Sequence, residues 1–255
     1  MQIENRTAFI TGGASGLGEA VTRHLHSLGA NVVVVDRSAK RGHALQEALA
    51  ERILFVPADV AEEESMSKAV RLAVEKFEAL HIAVCCAGIA PAKRVLGRDG
   101  IMPLELFAET IQVNLVGCFN AVRLAAEAMM INAREGDGER GVVIMTSSIA
   151  AREGQVGQAA YAASKGGVDS LTLPLAREFS PLGIRVMTIA PGLFNTPMMD
   201  SISDEAKESL AGQIPFPQRL GRPVEFARLV AEVIGNRMLN GSVIRLDGAL
   251  RMGPK

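Results

Sequence analysis

Short unbroken apolar runs alternate along the chain with longer stretches in which apolar residues recur every three or four positions. The runs Thr7–Thr11, Asn31–Asp36, Ile53–Ala58, Ile82–Cys86, Gly141–Thr146, Ile184–Ile189 and Ser242–Leu246 read as strands. Val32–Val35 is four valines in succession. A run with no polar alternation has no solvent face, which suits a parallel strand covered on both sides. The stretches Gly16–Leu28, Lys40–Glu51, Glu62–Phe77, Leu104–Met130, Ala159–Phe179 and Pro223–Ile234 have helical period. The alternation predicts a single-domain α/β fold over residues 1–255, doubly wound, with a seven-stranded parallel sheet and helices on both faces. Two segments fall outside the pattern. Arg134–Arg140 is charged and glycine-bearing and reads as a surface excursion. Leu193–Leu220 is longer than an ordinary connection, which often marks a functional loop.

Composition narrows the class. The 255 residues fit one large domain, and 48% hydrophobic residues suffice for a well-buried core. A formal net charge of −1 offers neither a basic surplus for nucleic acid nor an acidic tail. Cys85, Cys86 and Cys118 are too few for a disulfide framework, which suggests a reducing compartment. The strand-like run beginning at Thr7 leaves no room for a cleavable leader, and no apolar run is long enough to span a bilayer. A cytoplasmic protein with no membrane or nucleic-acid partner is expected. His24, His26, His43 and His81 lack metal-ligand spacing, so no metal is expected.

The first predicted strand ends in Thr11-Gly12-Gly13-Ala14-Ser15-Gly16-Leu17-Gly18, and a helix pattern follows. Glycines let such a turn approach a pyrophosphate closely, and the helix N-terminus presents free N–H groups to the anion. Strand before and helix after are the context a dinucleotide-binding Rossmann turn requires. Gly12, Ser15, Gly16, Leu17 and Gly18 are therefore candidate cofactor contacts. Asp36 closes the second strand, 18 residues after Gly18, where an acid bonds the adenosine ribose hydroxyls. A carboxylate there repels a 2′-phosphate, so NAD is favoured over NADP. Arg37 is read as a solvated charge at a helix entry, although an arginine there can accept that phosphate. Asp59, with Val60 beside it, follows the third strand and can cap a helix, touch the adenine, or both.

Tyr161 is the only tyrosine. In Tyr161-Ala162-Ala163-Ser164-Lys165 the phenol and the ammonium are four residues apart on one helix face. A nearby positive charge favours the phenolate and makes the phenol usable as an acid/base. Ser148 lies at a strand end 13 residues upstream. The combination outweighs the bland readings of a core tyrosine and a surface lysine.

The Gly-rich turn, Cys86-Ala87-Gly88 after the fourth strand, Asn114, Ser148, Tyr161 with Lys165, and Pro191-Gly192 together resemble the short-chain dehydrogenase/reductase family, from Thr7 to about Met252. The resemblance implies that Tyr161 exchanges a proton with the substrate oxygen and that Ser148 hydrogen-bonds that oxygen. Lys165 would hold the nicotinamide ribose and tune Tyr161, and Asn114 would support a proton-carrying water chain. Cys86, Gly88, Phe194 and Thr196 join the implied cofactor contacts, Thr196 at the carboxamide. Where the family usually has Asn-Asn-Ala-Gly this chain has Cys85-Cys86-Ala87-Gly88, which removes two side-chain amides.

The segments Glu153–Tyr161, Pro191–Phe194, Ile214–Gly221 and Leu239–Ala249 are similar to a subfamily, the type 2 3-hydroxyacyl-CoA dehydrogenases. That similarity implies NAD-linked interconversion of a 3-hydroxyacyl-CoA and a 3-oxoacyl-CoA, a homotetramer, and Gln155 as a substrate-oxygen contact. The excursion Leu193–Leu220 holds Phe194, Pro197, Met198, Met199, Ile202, Leu210 and Phe216, apolar enough for a fatty chain or a steroid. Lys93, Arg94 and Arg98 are candidates to meet CoA phosphates, or form a solvated basic loop. The alternatives are a hydroxysteroid or other secondary-alcohol dehydrogenase and a 3-oxoacyl-carrier-protein reductase, the latter usually NADPH-linked and so opposed by Asp36. A non-catalytic dinucleotide-binding scaffold would need none of Asn114, Ser148, Tyr161 and Lys165.

Overall fold

The computed structural model describes residues 1–98, 100–200 and 202–254. Its order is β1 (Thr7–Thr11), α1 (Gly16–Ser27), β2 (Asn31–Asp36), α2 (Ala39–Leu49), β3 (Ile53–Pro57), α3 (Glu63–Phe77) and β4 (Ile82–Cys85). A small antiparallel hairpin follows, β5 (Leu96–Gly97) and β6 (Gly100–Ile101). Then come α4 (Leu104–Ile111), α5 (Gly117–Met130), β7 (Gly141–Thr146), α6 (Ala159–Phe179), β8 (Ile184–Pro191), α7 (Asp204–Gly212), α8 (Pro223–Gly235) and β9 (Val243–Leu246). Seven strands form one parallel sheet in the order β3-β2-β1-β4-β7-β8-β9. Each predicted strand and each predicted helix is present within a residue or two, apart from the changes described below.

The four valines of β2 show why the sheet is buried twice. Successive strand side chains point to opposite faces. Val33 and Val35 enter the core beneath α3, α5 and α6, while Val32 and Val34 enter the core beneath α1 and α8. All four are fully buried. At about 2 kcal/mol for each buried valine side chain, a polar residue at any of them would be costly. The chain runs from β1 outward to β3 and then crosses back to β4 on the other side of β1, with Thr11 beside Cys85 in register. That reversal opens a crevice at the carboxyl ends of β1 and β4, the usual ligand position in such sheets.

Three features depart from expectation. The predicted helix Leu104–Met130 is continuous in direction but contains a π-helical turn, Gln112–Val116, closed by the Gly117 N–H on the Gln112 carbonyl. The excursion Leu193–Leu220 contains its own helix, α7, opened by Ser203, whose hydroxyl accepts the Ala206 N–H. Arg134–Arg140 is not wholly a surface excursion. Glu139 turns inward and is buried under Arg185, Arg237 and the Met1 ammonium. Burial alone pushes its carboxyl up, but hydrogen bonds from the ammonium and Arg185 hold it below the usual range.

Candidate active site

The turn after β1 is built on close approaches. Gly12 has φ +63°, and a Cβ there would lie 2.7 Å from the Ala87 nitrogen. A Cβ on Gly18 would lie 2.1 Å from the Gly12 carbonyl oxygen, so α1 packs backbone to backbone against the turn. Ser15 stands at the N-cap of α1 without using its hydroxyl as a cap. The first N–H groups of the helix, from Gly16 to Gly18, consequently point to the crevice with the positive end of the helix dipole behind them. Asp36 braces the same turn: Oδ2 accepts the Ala14 N–H at 3.2 Å and Oδ1 the Ser38 N–H at 2.9 Å. Asp59 Oδ1 accepts the Ala61 N–H at 2.9 Å, shaping the entry to α3, and Oδ2 faces Arg37 at 3.3 Å. Val60 is buried against Gly117, and its carbonyl accepts from Asn120. Glycine-lined backbone, a free helix end and a fixed carboxylate at the end of β2 fit a nicotinamide dinucleotide.

At the end of β4 the two cysteines take different roles. Cys85 is buried in the core cluster that also holds Cys118. Cys86 lies beside Thr146, with Sγ 3.5 Å from its hydroxyl. Burial pushes the Cys86 thiol up to about 11, so it is neutral at physiological pH. The loop after β4 is tied to Thr11, whose carbonyl accepts the Cys86 N–H at 3.0 Å and whose hydroxyl accepts the Ala87 N–H at 3.4 Å. Gly88 closes over the site, where a Cβ would lie 3.1 Å from Asn114 Oδ1 and 3.6 Å from Lys165 Nζ.

Asn114 sits within the π turn, and such turns shift helical hydrogen bonding locally and recur at functional sites. It is buried and fully engaged. Oδ1 accepts the Ile89 N–H at 2.8 Å, and Nδ2 donates to the Ile89 carbonyl at 2.8 Å and to Ser164 Oγ at 3.0 Å. The Ser164 hydroxyl donates in turn to the Tyr161 carbonyl at 2.7 Å. Asn114 thus ties the loop after β4 to α6 between the tyrosine and the lysine. Lys165 is buried, and its Nζ donates to the Thr146 carbonyl at 2.7 Å while lying 5.9 Å from the Tyr161 ring centroid. Ser147 donates to the Lys165 carbonyl at 3.1 Å, which accounts for it structurally. Ser148 follows, its Oγ oriented by accepting the Ala150 N–H at 3.1 Å. A buried ammonium beside a phenol, with a hydroxyl from the neighbouring strand end, is chemically able to move a proton to or from a polarised oxygen.

The remaining candidates arrive from the C-terminal half. Thr196 starts the short 3₁₀ turn Pro197–Met199 without a side-chain cap, and its Cβ stands 3.5 Å from where a Gly16 Cβ would be. Its hydroxyl is thereby left for a ligand at the turn. Phe194 differs: its ring packs edge-on against Phe226, with centroids 6.5 Å apart, and against Gly221. Only its main chain can face a cofactor. Gln155 Nε2 donates to the Gly253 carbonyl at 3.2 Å, a commitment the sequence reading missed. Thr146, Ser164 and Thr11 were also missed. Ser164 could have been found from its place between Tyr161 and Lys165; Thr146 acts through a carbonyl, which leaves no mark in a sequence.

No helix among the described residues is long and apolar enough to cross a membrane. A family model described as short chain dehydrogenase matches residues 6–207. The 3-hydroxyacyl-CoA dehydrogenase type-2 of Bos taurus is 50% identical over 254 residues, covering 99% of this chain and 97% of the relative. The human protein of that name is also 50% identical, with the same coverage. The crystal structure of 3-hydroxyacyl-CoA dehydrogenase type-2 from Mycobacterium avium superposes with a TM-score of 0.95 at 44% identity, covering 100% of this chain and 99% of that one. The chain is therefore a member of the short-chain dehydrogenase family of nicotinamide-dependent oxidoreductases.

Proposed function

We propose that the protein interconverts a 3-hydroxyacyl-CoA and the matching 3-oxoacyl-CoA with NAD as its cofactor. The observation that carries the substrate class is identity of 50% over 99% of the chain to a relative named for that reaction. The bound nicotinamide supplies the acceptor or donor of hydride. Everything else falls to the chain. In oxidation, the Tyr161 phenolate takes the proton of the substrate hydroxyl, and in reduction its phenol returns one. Ser148 donates to the same oxygen and holds it in place. Lys165 keeps one donor on the Thr146 carbonyl, and its other two would serve the cofactor ribose and the phenol. Asn114 holds the loop above them and supports a water path for the proton. Asp36 receives the adenosine ribose hydroxyls, the Gly12–Gly18 turn and Ser15 receive the pyrophosphate, and Asp59 with Val60 borders the adenine. Thr196 and the Phe194 main chain hold the carboxamide, beside Cys86 and Gly88. Gln155 contributes to the substrate wall.

The acyl reading draws further support from two loops. Leu193, Ile214 and Leu220 pack down with Ile149 and Leu250, while Met198 and Phe216 remain exposed, Phe216 at 83%. Exposed apolar side chains in this excursion are available to a fatty chain. Lys93, Arg94 and Arg98, with Ala92, Gly97 and Gly100, line a cleft of about 420 Å³. None of the three cations pairs with an acid among the described residues. The Lys93 N–H donates to the Gly157 carbonyl at 2.9 Å, which links the basic loop to the segment just before Tyr161. Changing all three to alanine is expected to raise KM for acetoacetyl-CoA about tenfold and leave KM for ethyl acetoacetate unchanged. Equal KM changes for both would remove the CoA contact.

The same proposal includes a homotetramer and a reducing, cytoplasmic setting. Phe119 and Met130 on α5 and Leu173 on α6 are exposed, an apolar surface that a second copy could cover. All three cysteines are free. The deciding assay follows nicotinamide absorbance with purified protein and acetoacetyl-CoA. Fast oxidation of NADH is the expected result. Turnover only with NADPH and a carrier-protein thioester would overturn the reading.

A further inference from the structure

The segment between Ser148 and Tyr161 is held by the end of the chain. Glu153, just past the 3₁₀ turn Ile149–Ala151, is gripped in bidentate fashion by Arg245 of β9: Nη1 donates to Oε1 at 2.8 Å and Nη2 to Oε2 at 3.2 Å. The same Oε2 accepts the Met252 N–H at 3.1 Å. Two bonds continue the seam, from Gln155 Nε2 to the Gly253 carbonyl at 3.2 Å and from the Val156 N–H to the Pro254 carbonyl at 3.1 Å. Arg245 is fixed from its other side by Asp247, Nε to Oδ2 at 2.7 Å, and by the Leu250 carbonyl at 3.0 Å. Leu250, 1% exposed, packs between Ile149 and Ile214, with Leu193, Leu220 and Met252 around it. Ile149 directly follows Ser148, and Leu193, Ile214 and Leu220 belong to the apolar excursion. Residues 250–254 therefore join the serine's segment to that excursion.

We propose that Glu153 is a positioning residue: its carboxylate clamps residues 250–254 onto the Gln155 segment, and the clamped tail forms the wall that holds the substrate chain beyond the reacting carbon. The substrate named here rests on the acyl-CoA reading. An arginine–carboxylate fork fixes geometry as well as adding energy, so few other pairings could set the tail this firmly. Hydrogen bonding from Arg245 holds the Glu153 carboxyl below its usual range, and the clamp is charged throughout neutral pH. Gln155 has its amide turned to Gly253, so the tail also fixes what that side chain can offer a substrate. Glu153 touches neither the phenol nor the ammonium in this network, which separates holding from proton transfer.

Two variants test this. Glu153→Gln weakens the fork and the Met252 acceptor together; Met252→Pro deletes only the donor and keeps the Glu153–Arg245 pair. In both, KM for 3-oxodecanoyl-CoA is expected to rise about tenfold, with the dissociation constant for NADH unchanged within about twofold. Amide hydrogen exchange in residues 250–254 is expected to quicken in both. Unchanged KM with a faster-exchanging tail would overturn the wall, and unchanged exchange would overturn the clamp. A rise in KM matched by weaker NADH binding and a lower Tm would reduce Glu153 to a structural role. If the unaltered enzyme reduces ethyl acetoacetate but no 3-oxoacyl-CoA, the acyl reading fails alone. The clamp is then judged by the same comparison of KM for ethyl acetoacetate against NADH binding.

Discussion

Replacing Tyr161 with phenylalanine is expected to lower kcat for acetoacetyl-CoA reduction about a thousandfold, the range of a lost general acid. The dissociation constant for NADH is expected to stay within about threefold, because phenylalanine keeps the ring and removes one oxygen. The hydrogen bonds around this turn of α6 do not use the phenol oxygen, so the change leaves them alone. Ser164 donates to the Tyr161 main-chain carbonyl, and Lys165 is anchored on Thr146, not on the phenol oxygen. Steady-state kinetics beside fluorescence titration of NADH separates the outcomes. Retained turnover would mean that another group delivers the proton. Parallel loss of NADH binding would mean that the phenol is a cofactor contact first and an acid second.

Much of this site was legible because its parts are local. Tyr161 and Lys165 need only helical spacing to share a face, and the turn from Gly12 to Gly18 needs only a strand before and a helix after. The valines of β2 declare burial on two faces by lacking any polar partner. What stayed hidden depends on residues distant in sequence or on main-chain atoms. The Lys165 anchor is a carbonyl, which every residue type carries. The π turn is a shift in main-chain hydrogen bonding, closed by the Gly117 N–H on the Gln112 carbonyl. Gly117 also packs against Val60, a partner distant in sequence, so closely that a Cβ there would come within 2.6 Å of the valine. Glu139 stands in a charged run and reads as solvated; its burial is decided by Arg185, on a strand that pairs beside β7 only after folding. Glu153 likewise became informative only once Arg245 and Met252 were seen to meet on it. The hairpin Leu96–Gly97 with Gly100–Ile101 has strands of two residues, too short for any period to register.

NADH is expected to be preferred over NADPH by about a hundredfold in kcat/KM, since one close like-charge contact costs several kcal/mol and about 1.4 kcal/mol is tenfold. The carboxylate responsible cannot swing aside. Asp36 accepts from Ala14 on one oxygen and from Ser38 on the other, so a 2′-phosphate would meet a fixed negative charge. Arg37 is the one neighbour that could reverse this. It is 67% exposed, and its Nη1 lies 3.3 Å from Asp59 Oδ2, which draws it toward the β3 side. Asp36→Ala should narrow the preference to about tenfold or less, through better NADPH turnover and weaker NADH binding as the ribose hydroxyls lose their acceptor. Arg37→Ala should leave the ratio unchanged. The four combinations of enzyme and cofactor, measured at one ionic strength, distinguish the possibilities. A preference that survives Asp36→Ala would place discrimination elsewhere in the crevice. Comparable use of both cofactors by the unaltered enzyme, lost in Arg37→Ala, would mean that Arg37 leaves Asp59 to bind the phosphate and that the Asp36 carboxylate does not decide the cofactor.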